Sequence, residues 1–147
     1  EFSLACDFRI VTKCAQLSLP EMKIGMIPGS GGSVRLARMI GLSRVKDMIM
    51  RGKRISGEEA FNWGLASELV EKDKLEITIS KLVDELCSVS PLAQRAIKTV
   101  LNTSQDAPLH VAIELEGETY GRLRSSDDFN EGVKSFVEKR KPVYKGN

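Results

Sequence analysis

Glu1-Phe2-Ser3-Leu4-Ala5-Cys6-Asp7 and Glu21-Met22-Lys23-Ile24-Gly25-Met26-Ile27-Pro28-Gly29-Ser30-Gly31-Gly32 decide how the rest of the chain is read. A glutamate opens each segment. Between them, the apolar run Phe8 to Val11 and the stretch Gln16 to Leu19 read as two strands joined by a turn near Lys13. Such an out-and-back excursion returns the second carboxylate toward the first. The glycines at 25, 29, 31 and 32 permit turns that a side chain forbids, and they deliver the chain to a helix beginning near Ser33. The reading is a pair of carboxylates beside a loop that another molecule can approach closely.

Working outward, residues 1–5 read as the end of a helix. The helix from Ser33 to Ile40 turns Val34, Leu36, Ala37 and Ile40 inward, and Gly41 ends it. A second, from Ser43 to Arg51, faces Val45, Met48 and Ile49 inward and stops at Gly52. Ser56-Gly57-Glu58-Glu59 is a capping box, so a short helix runs from there to Trp63 with Gly64 as its stop. Leu65 to Val70 reads as an extended return and Glu71 to Lys74 as a charged turn.

Thereafter the pattern is helical. Leu75, Ile79, Leu82, Val83 and Leu86 share one face, and Ser90-Pro91 opens a helix carrying Leu92, Ala96, Ile97, Val100 and Leu101. Asp106 and Pro108 start a third to Leu123, with Leu109, Ala112, Ile113 and Tyr120 inward. Ser126 caps the last, whose first turn holds Asp127 and Asp128 and whose inner face is Phe129, Val133, Phe136 and Val137. The fold class is α/β, mostly helical. Ordinary sheets have ~4–6 strands, so the few strands here are expected to join others, and the sequence to be the C-terminal part of a longer protein.

The 147 residues, 41% hydrophobic and 29% charged, have the composition of a soluble globular domain. No apolar run approaches the ~20 residues of a membrane-spanning helix, and no membrane partner is expected. Cys6, Cys14 and Cys87 form no C-x-x-C pair and are odd in number, which points to a reducing interior compartment. His110, the single histidine, has no second ligand at metal spacing, so no metal site is expected. From Lys134 to Asn147 five basic residues face one acid, Glu138, a cationic patch. It reads as a solvated end or as a site for phosphates; nucleic acid is disfavoured, since no aromatic interleaving or nucleic-acid motif accompanies the charge.

Glu1, Cys6-Asp7, Pro20-Glu21, Ile27-Pro28-Gly29-Ser30-Gly31-Gly32 and Arg35-Leu36 resemble the enoyl-CoA hydratase/isomerase (crotonase) family. The resemblance continues through Gly52-Lys53-Arg54-Ile55-Ser56, Ala60 and Trp63-Gly64-Leu65 to Glu138-Lys139-Arg140-Lys141-Pro142, and so spans the chain. It implies that residues 1–70 are the end of a β-β-α spiral and residues 71–147 a helical oligomerisation region, in a trimer or hexamer. It implies an acyl-CoA substrate and no separate cofactor, coenzyme A entering as part of the substrate. Glu1 falls where the family's hydratases place the carboxylate that activates water, and Glu21 where they place the one that protonates carbon. Gly29 falls beside the catalytic water, and Phe136 and Lys139 where an aromatic and a lysine touch the CoA moiety. Isomerases of the family commonly keep only the second glutamate.

Hydrating a double bond next to a thioester needs a base for water, an acid for the α-carbon and donors for the enolate-like oxygen. Two nearby carboxyls suit the first two tasks, because like charges in one pocket leave one protonated and one not. The family's oxyanion donors lie upstream of the position of Glu1, so the parent protein is expected to be active and this chain alone inactive. Two other readings of the glycine loop fail. Pro28 stands where a nucleophile elbow needs glycine, and Gly32-Ser33-Val34 lacks the lysine of a phosphate loop. Alternatives are a double-bond isomerase, another acyl-CoA-transforming crotonase, or a non-catalytic oligomerisation module. A cytoplasmic location is expected, with the mitochondrial matrix or peroxisome possible in a eukaryote.

Overall fold

The computed structural model describes residues 1–147. They form two compact units, Glu1–Ser80 and Lys81–Asn147.

The first unit begins with a 3₁₀ turn, Phe2–Ala5, followed by β1 (Ile10–Thr12) and β2 (Gln16–Leu17). The two strands follow one another as the sequence predicts, but they do not pair as a hairpin. β1 runs parallel to β4 (Glu68–Val70), with Val11 opposite Leu69. β2 runs antiparallel to β3 (Ile55–Ser56), with Leu17 opposite Ile55. The start of another element fills the corner between them. The Gly57 N–H donates to the Ala15 carbonyl at 2.9 Å, and a Cβ at Gly57 would collide with the carbonyl oxygen of Thr12. Helix α3 (Gly57–Asn62) thus starts packed against the corner between the two strands.

After β2, a second 3₁₀ turn, Glu21–Ile24, ends at Gly25, which is left-handed with φ 75°. Helices α1 (Gly32–Ile40) and α2 (Leu42–Met50) follow, hinged at Gly41 with φ 80°. The capping box at α3 is formed in full. The Glu59 N–H donates to Ser56 Oγ at 3.1 Å, and the Ser56 N–H to Glu59 Oε2 at 2.9 Å. Leu4, Leu19, Leu36, Ile40, Val45, Met48, Ile49, Ile55, Ala60 and Leu65 close into one apolar core. Arg9 ties the first turn to it, donating to the carbonyls of Leu65 and Cys6 at 2.6 Å each and of Ser3 at 3.2 Å.

The helical region comprises α4 (Leu75–Cys87), α5 (Pro91–Ser104), α6 (Leu109–Leu123) and α7 (Asp127–Glu138). Its starts match the sequence reading: Ser90 Oγ accepts from the Ala93 N–H and Ser126 Oγ from the Phe129 N–H, both at 3.1 Å. Its inner faces do not. Val100 is buried, but Leu109, Ile113 and Tyr120 on α6 are exposed, as are Phe129, Val133, Phe136 and Val137 on α7. Helical periodicity places these residues on shared faces without saying that anything in the chain covers them. Val34 on α1 is exposed for the same reason. No helix is long and apolar enough to cross a membrane.

The basic tail is ordered by carboxylates. Arg140 makes a bidentate pair with Glu131 (Nη1 to Oε1 2.6 Å, Nη2 to Oε2 2.9 Å), and its Nε donates to Glu138 at 2.6 Å. Asp128, 3% exposed, accepts from the N–H groups of Lys145 and Gly146 at 2.9 and 3.0 Å and from the Ser90 hydroxyl at 2.6 Å.

Candidate active site

Glu1 sits against the start of α1. Its Oε1 accepts the backbone N–H groups of Ser30 and Gly32, each at 2.8 Å. A Cβ at Gly32 would lie 2.7 Å from Glu1 Cγ and Oε1, so only glycine leaves room for the carboxylate. Gly31 carries φ 87°, the left-handed turn that points its neighbours' N–H groups one way. The carboxyl of Glu1 is held below the ordinary glutamate range, first by the Gly32 N–H and then by that of Ser30. Two backbone donors and the positive end of α1 thus keep it charged, rather than a neighbouring carboxyl.

Glu21 opens the second 3₁₀ turn, and its own carbonyl accepts the Met26 N–H at 3.1 Å. Its Oε2 is enclosed and makes no hydrogen bond. An enclosed carboxyl oxygen without a donor is costly, and nothing in these 147 residues supplies one. Gly29 lies next to Ser30, and a side chain there would meet nothing within 4 Å. Packing within the chain therefore does not demand glycine at 29; the space beside it is open. The structure joins Glu1 to the Gly29–Gly32 loop through Ser30 and Gly32, and no bond links Oε2 of Glu21 to that loop.

Phe136 and Lys139 lie together at the end of α7, where the Lys139 N–H donates to the Phe136 carbonyl at 3.3 Å. Phe136 is 85% exposed and lines a cavity of about 520 Å³ with Tyr120, Leu123, Phe129, Val133 and Tyr144. Lys139 is left-handed at φ 53°, the single non-glycine residue with positive φ. The backbone N–H groups of Ser30 and Gly32 are the components that sequence reasoning missed: the nucleophile-elbow reading of this segment failed on Pro28, and what the loop offers Glu1 is main chain.

A family model described as enoyl-CoA hydratase/isomerase matches residues 1–147. The chain belongs to that family. Among curated relatives, methylglutaconyl-CoA hydratase 1, mitochondrial, of Pyricularia oryzae is 38% identical over 99% of this chain and 46% of its own length. A carnitinyl-CoA dehydratase of Salmonella paratyphi A is 35% identical over 99% of this chain and 58% of its own. The crystal structure of enoyl-CoA hydratase from Bacillus anthracis superposes with TM-score 0.94 at 38% identity, covering 98% of this chain and 56% of that one. The chain therefore spans about half the length of the relatives it matches, and it has the fold of the corresponding part of crotonase-family enzymes.

Within this chain the first unit carries both glutamates and the glycine loop, and the second carries Phe136 and Lys139. Their chemical characters differ accordingly. The first offers an ionised carboxylate and an unpartnered carboxyl oxygen; the second offers an exposed ring beside a cationic chain end.

Proposed function

We propose that the protein carrying this chain hydrates a 2-enoyl-CoA, with Glu1 as base toward water and Glu21 as the proton source for the α-carbon. The observation that carries this is the grip on Glu1. An isomerase needs one carboxyl to move a proton between carbons, and a second glutamate held by two N–H groups at 2.8 Å has no task there. In this reading Oε1 is occupied by its donors and Oε2 takes the proton from water as the water oxygen bonds to the β-carbon. The alkene electrons move to the α-carbon, which receives a proton from Glu21. One glutamate has then gained a proton and the other lost one, and exchange with solvent restores both.

Phe136 and Lys139 are proposed to contact the CoA moiety, the ring by stacking and the lysine as a point charge toward phosphate. Residues 1–70 supply the catalytic carboxyls and residues 71–147 the subunit contacts. The exposed apolar residues of α6 and α7 favour self-association, in a trimer or hexamer.

The test is hydration of short and longer trans-2-enoyl-CoAs by the protein, with Glu1→Gln and Glu21→Gln beside it. Each substitution is expected to lower kcat by roughly 10²-fold or more while the protein stays folded. Isomerisation surviving in Glu1→Gln, without hydration in the unsubstituted protein, would move the assignment to an isomerase. Assembly without turnover of any acyl-CoA would make the chain an oligomerisation module.

A further inference from the structure

Arg35, in the first turn of α1, folds back over the loop that leads into its own helix. Its Nη1 donates to the Ser30 carbonyl at 2.9 Å. A Cβ at Gly31 would collide with the same nitrogen, so the guanidinium occupies the space that a side chain at 31 would need. The bond fixes one peptide plane, Ser30–Gly31. The planes on either side of it carry the Ser30 N–H and the Gly32 N–H, the two groups that hold Glu1.

That middle plane is the weak point of the arrangement. Gly31 tolerates both signs of φ, and glycines at 29 and 32 flank the turn, so little in the backbone itself stops the Ser30–Gly31 peptide from rotating. A change of ψ at Ser30 that φ at Gly31 does not cancel would turn the carbonyl away and shift the two flanking N–H groups relative to one another, so that they no longer meet one carboxylate oxygen. A guanidinium bonded to the carbonyl blocks it, because an exposed arginine gives up its bond only by losing a charge-assisted partner.

We infer that Arg35 is a positioning residue for hydration: by pinning the Ser30–Gly31 peptide it holds both flanking N–H groups on Glu1. The inference rests on the reading of Glu1 as the base. Arg35 does not touch the reacting atoms. Its charge favours ionised Glu1, but the Gly32 and Ser30 N–H groups have the larger influence on that carboxyl. Removing Arg35 therefore acts mainly through the loop.

The experiment compares Arg35→Gln and Arg35→Lys with the unsubstituted protein. Two quantities are read: kcat and KM for enoyl-CoA hydration, and the titration of the Glu1 carboxyl by ¹³C NMR, assigned with Glu1→Gln. In Arg35→Gln the Glu1 midpoint is expected to move up, and kcat to fall roughly tenfold with KM within about twofold. Lysine at 35 can still donate to the Ser30 carbonyl and is expected to recover most of both. A role confined to helix stability would lower the melting temperature and leave the Glu1 midpoint and kcat where they were, and that result overturns the inference. Should the unsubstituted protein hydrate no enoyl-CoA, the hydratase reading fails by itself, and amide hydrogen exchange at Ser30 and Gly32, which is expected to speed up in Arg35→Gln and which loss of charge alone would leave slow, still decides whether Arg35 holds the loop.

Discussion

Gly32→Ala separates the site from the fold more cleanly than any other single change. The added Cβ would stand 2.7 Å from Cγ and Oε1 of Glu1, where ordinary contacts begin near 3.4 Å, so the carboxyl must retreat by about 0.7 Å. Retreat along the two 2.8 Å bonds would stretch them to about 3.5 Å, the limit of hydrogen bonding. The collision is with the far end of a flexible side chain, and Gly32 is the first residue of α1 without a positive φ, so alanine suits the backbone. Stability is expected to stay within about 1 kcal/mol, alanine if anything being the better helix residue. Turnover is expected to fall roughly 10²-fold, the cost typical of displacing a catalytic group by about an ångström. Thermal unfolding and enoyl-CoA hydration, measured on the same preparation, check both halves. A Gly32→Ala protein with unchanged kcat would show that the grip on Glu1 is irrelevant to the chemistry, and the reasoning from the loop would collapse.

Glu131 is held at about 2 by the Arg140 guanidinium and then by the Val143 N–H, against an ordinary 4.5. Its folded value lies below the unfolded one, so its contribution to the tail is complete above about 4.5 and disappears as pH falls through about 2. Carboxyl NMR should find the midpoint near 2, and Arg140→Gln should return it toward 4.5; a midpoint already near 4.5 in the unsubstituted protein would refute the pairing. Asp128 is depressed in the same sense, first by the Ser90 hydroxyl. Asp128→Ala is expected to release residues 143–147 to proteolysis while α5 persists, and unchanged cleavage would count against the clasp. Leu36, 1% exposed in the first core, should cost about 2–5 kcal/mol as alanine in urea unfolding, whereas the exposed Val34→Ala should stay within about 0.5.

What the sequence revealed was whatever is set within a few residues. The Ser56–Glu59 box, the Ser90 and Ser126 caps and the glycine stops at 41 and 64 depend on donors three or four positions away, and all were legible. Strand partners were not. Val11 pairs with Leu69, and neither three-residue segment states its partner or direction. The grip on Glu1 was hidden for another reason: it uses N–H groups, which every residue but proline has, and only the glycines at 31 and 32 hint at it. The helical faces failed differently again. Period 3.6 identifies Phe129, Val133 and Phe136 as neighbours on α7, but burial needs a cover, and periodicity contains no information about one.

The charge count of the tail misled in one respect, and the correction leads to a test. Arg140 is paired with Glu131 and Glu138, so its charge belongs to the frame rather than to a free cationic surface. What that frame holds is Lys139 at φ 53°, a conformation that disfavours any residue with a Cβ. Lysine stands at a helix end where glycine would sit more easily, and a strain of this kind points to a task for the side chain. Lys139→Gly should therefore raise stability by up to about 1 kcal/mol. If the ammonium meets phosphate as proposed, the same change should raise KM for an enoyl-CoA roughly fivefold, the weight of one exposed charge pair. It should leave KM unchanged for the matching pantetheine thioester, which has the acyl group and no phosphates. Equal effects on both thioesters would show that Lys139 acts on the fold or the acyl end, and the phosphate role would have to be abandoned.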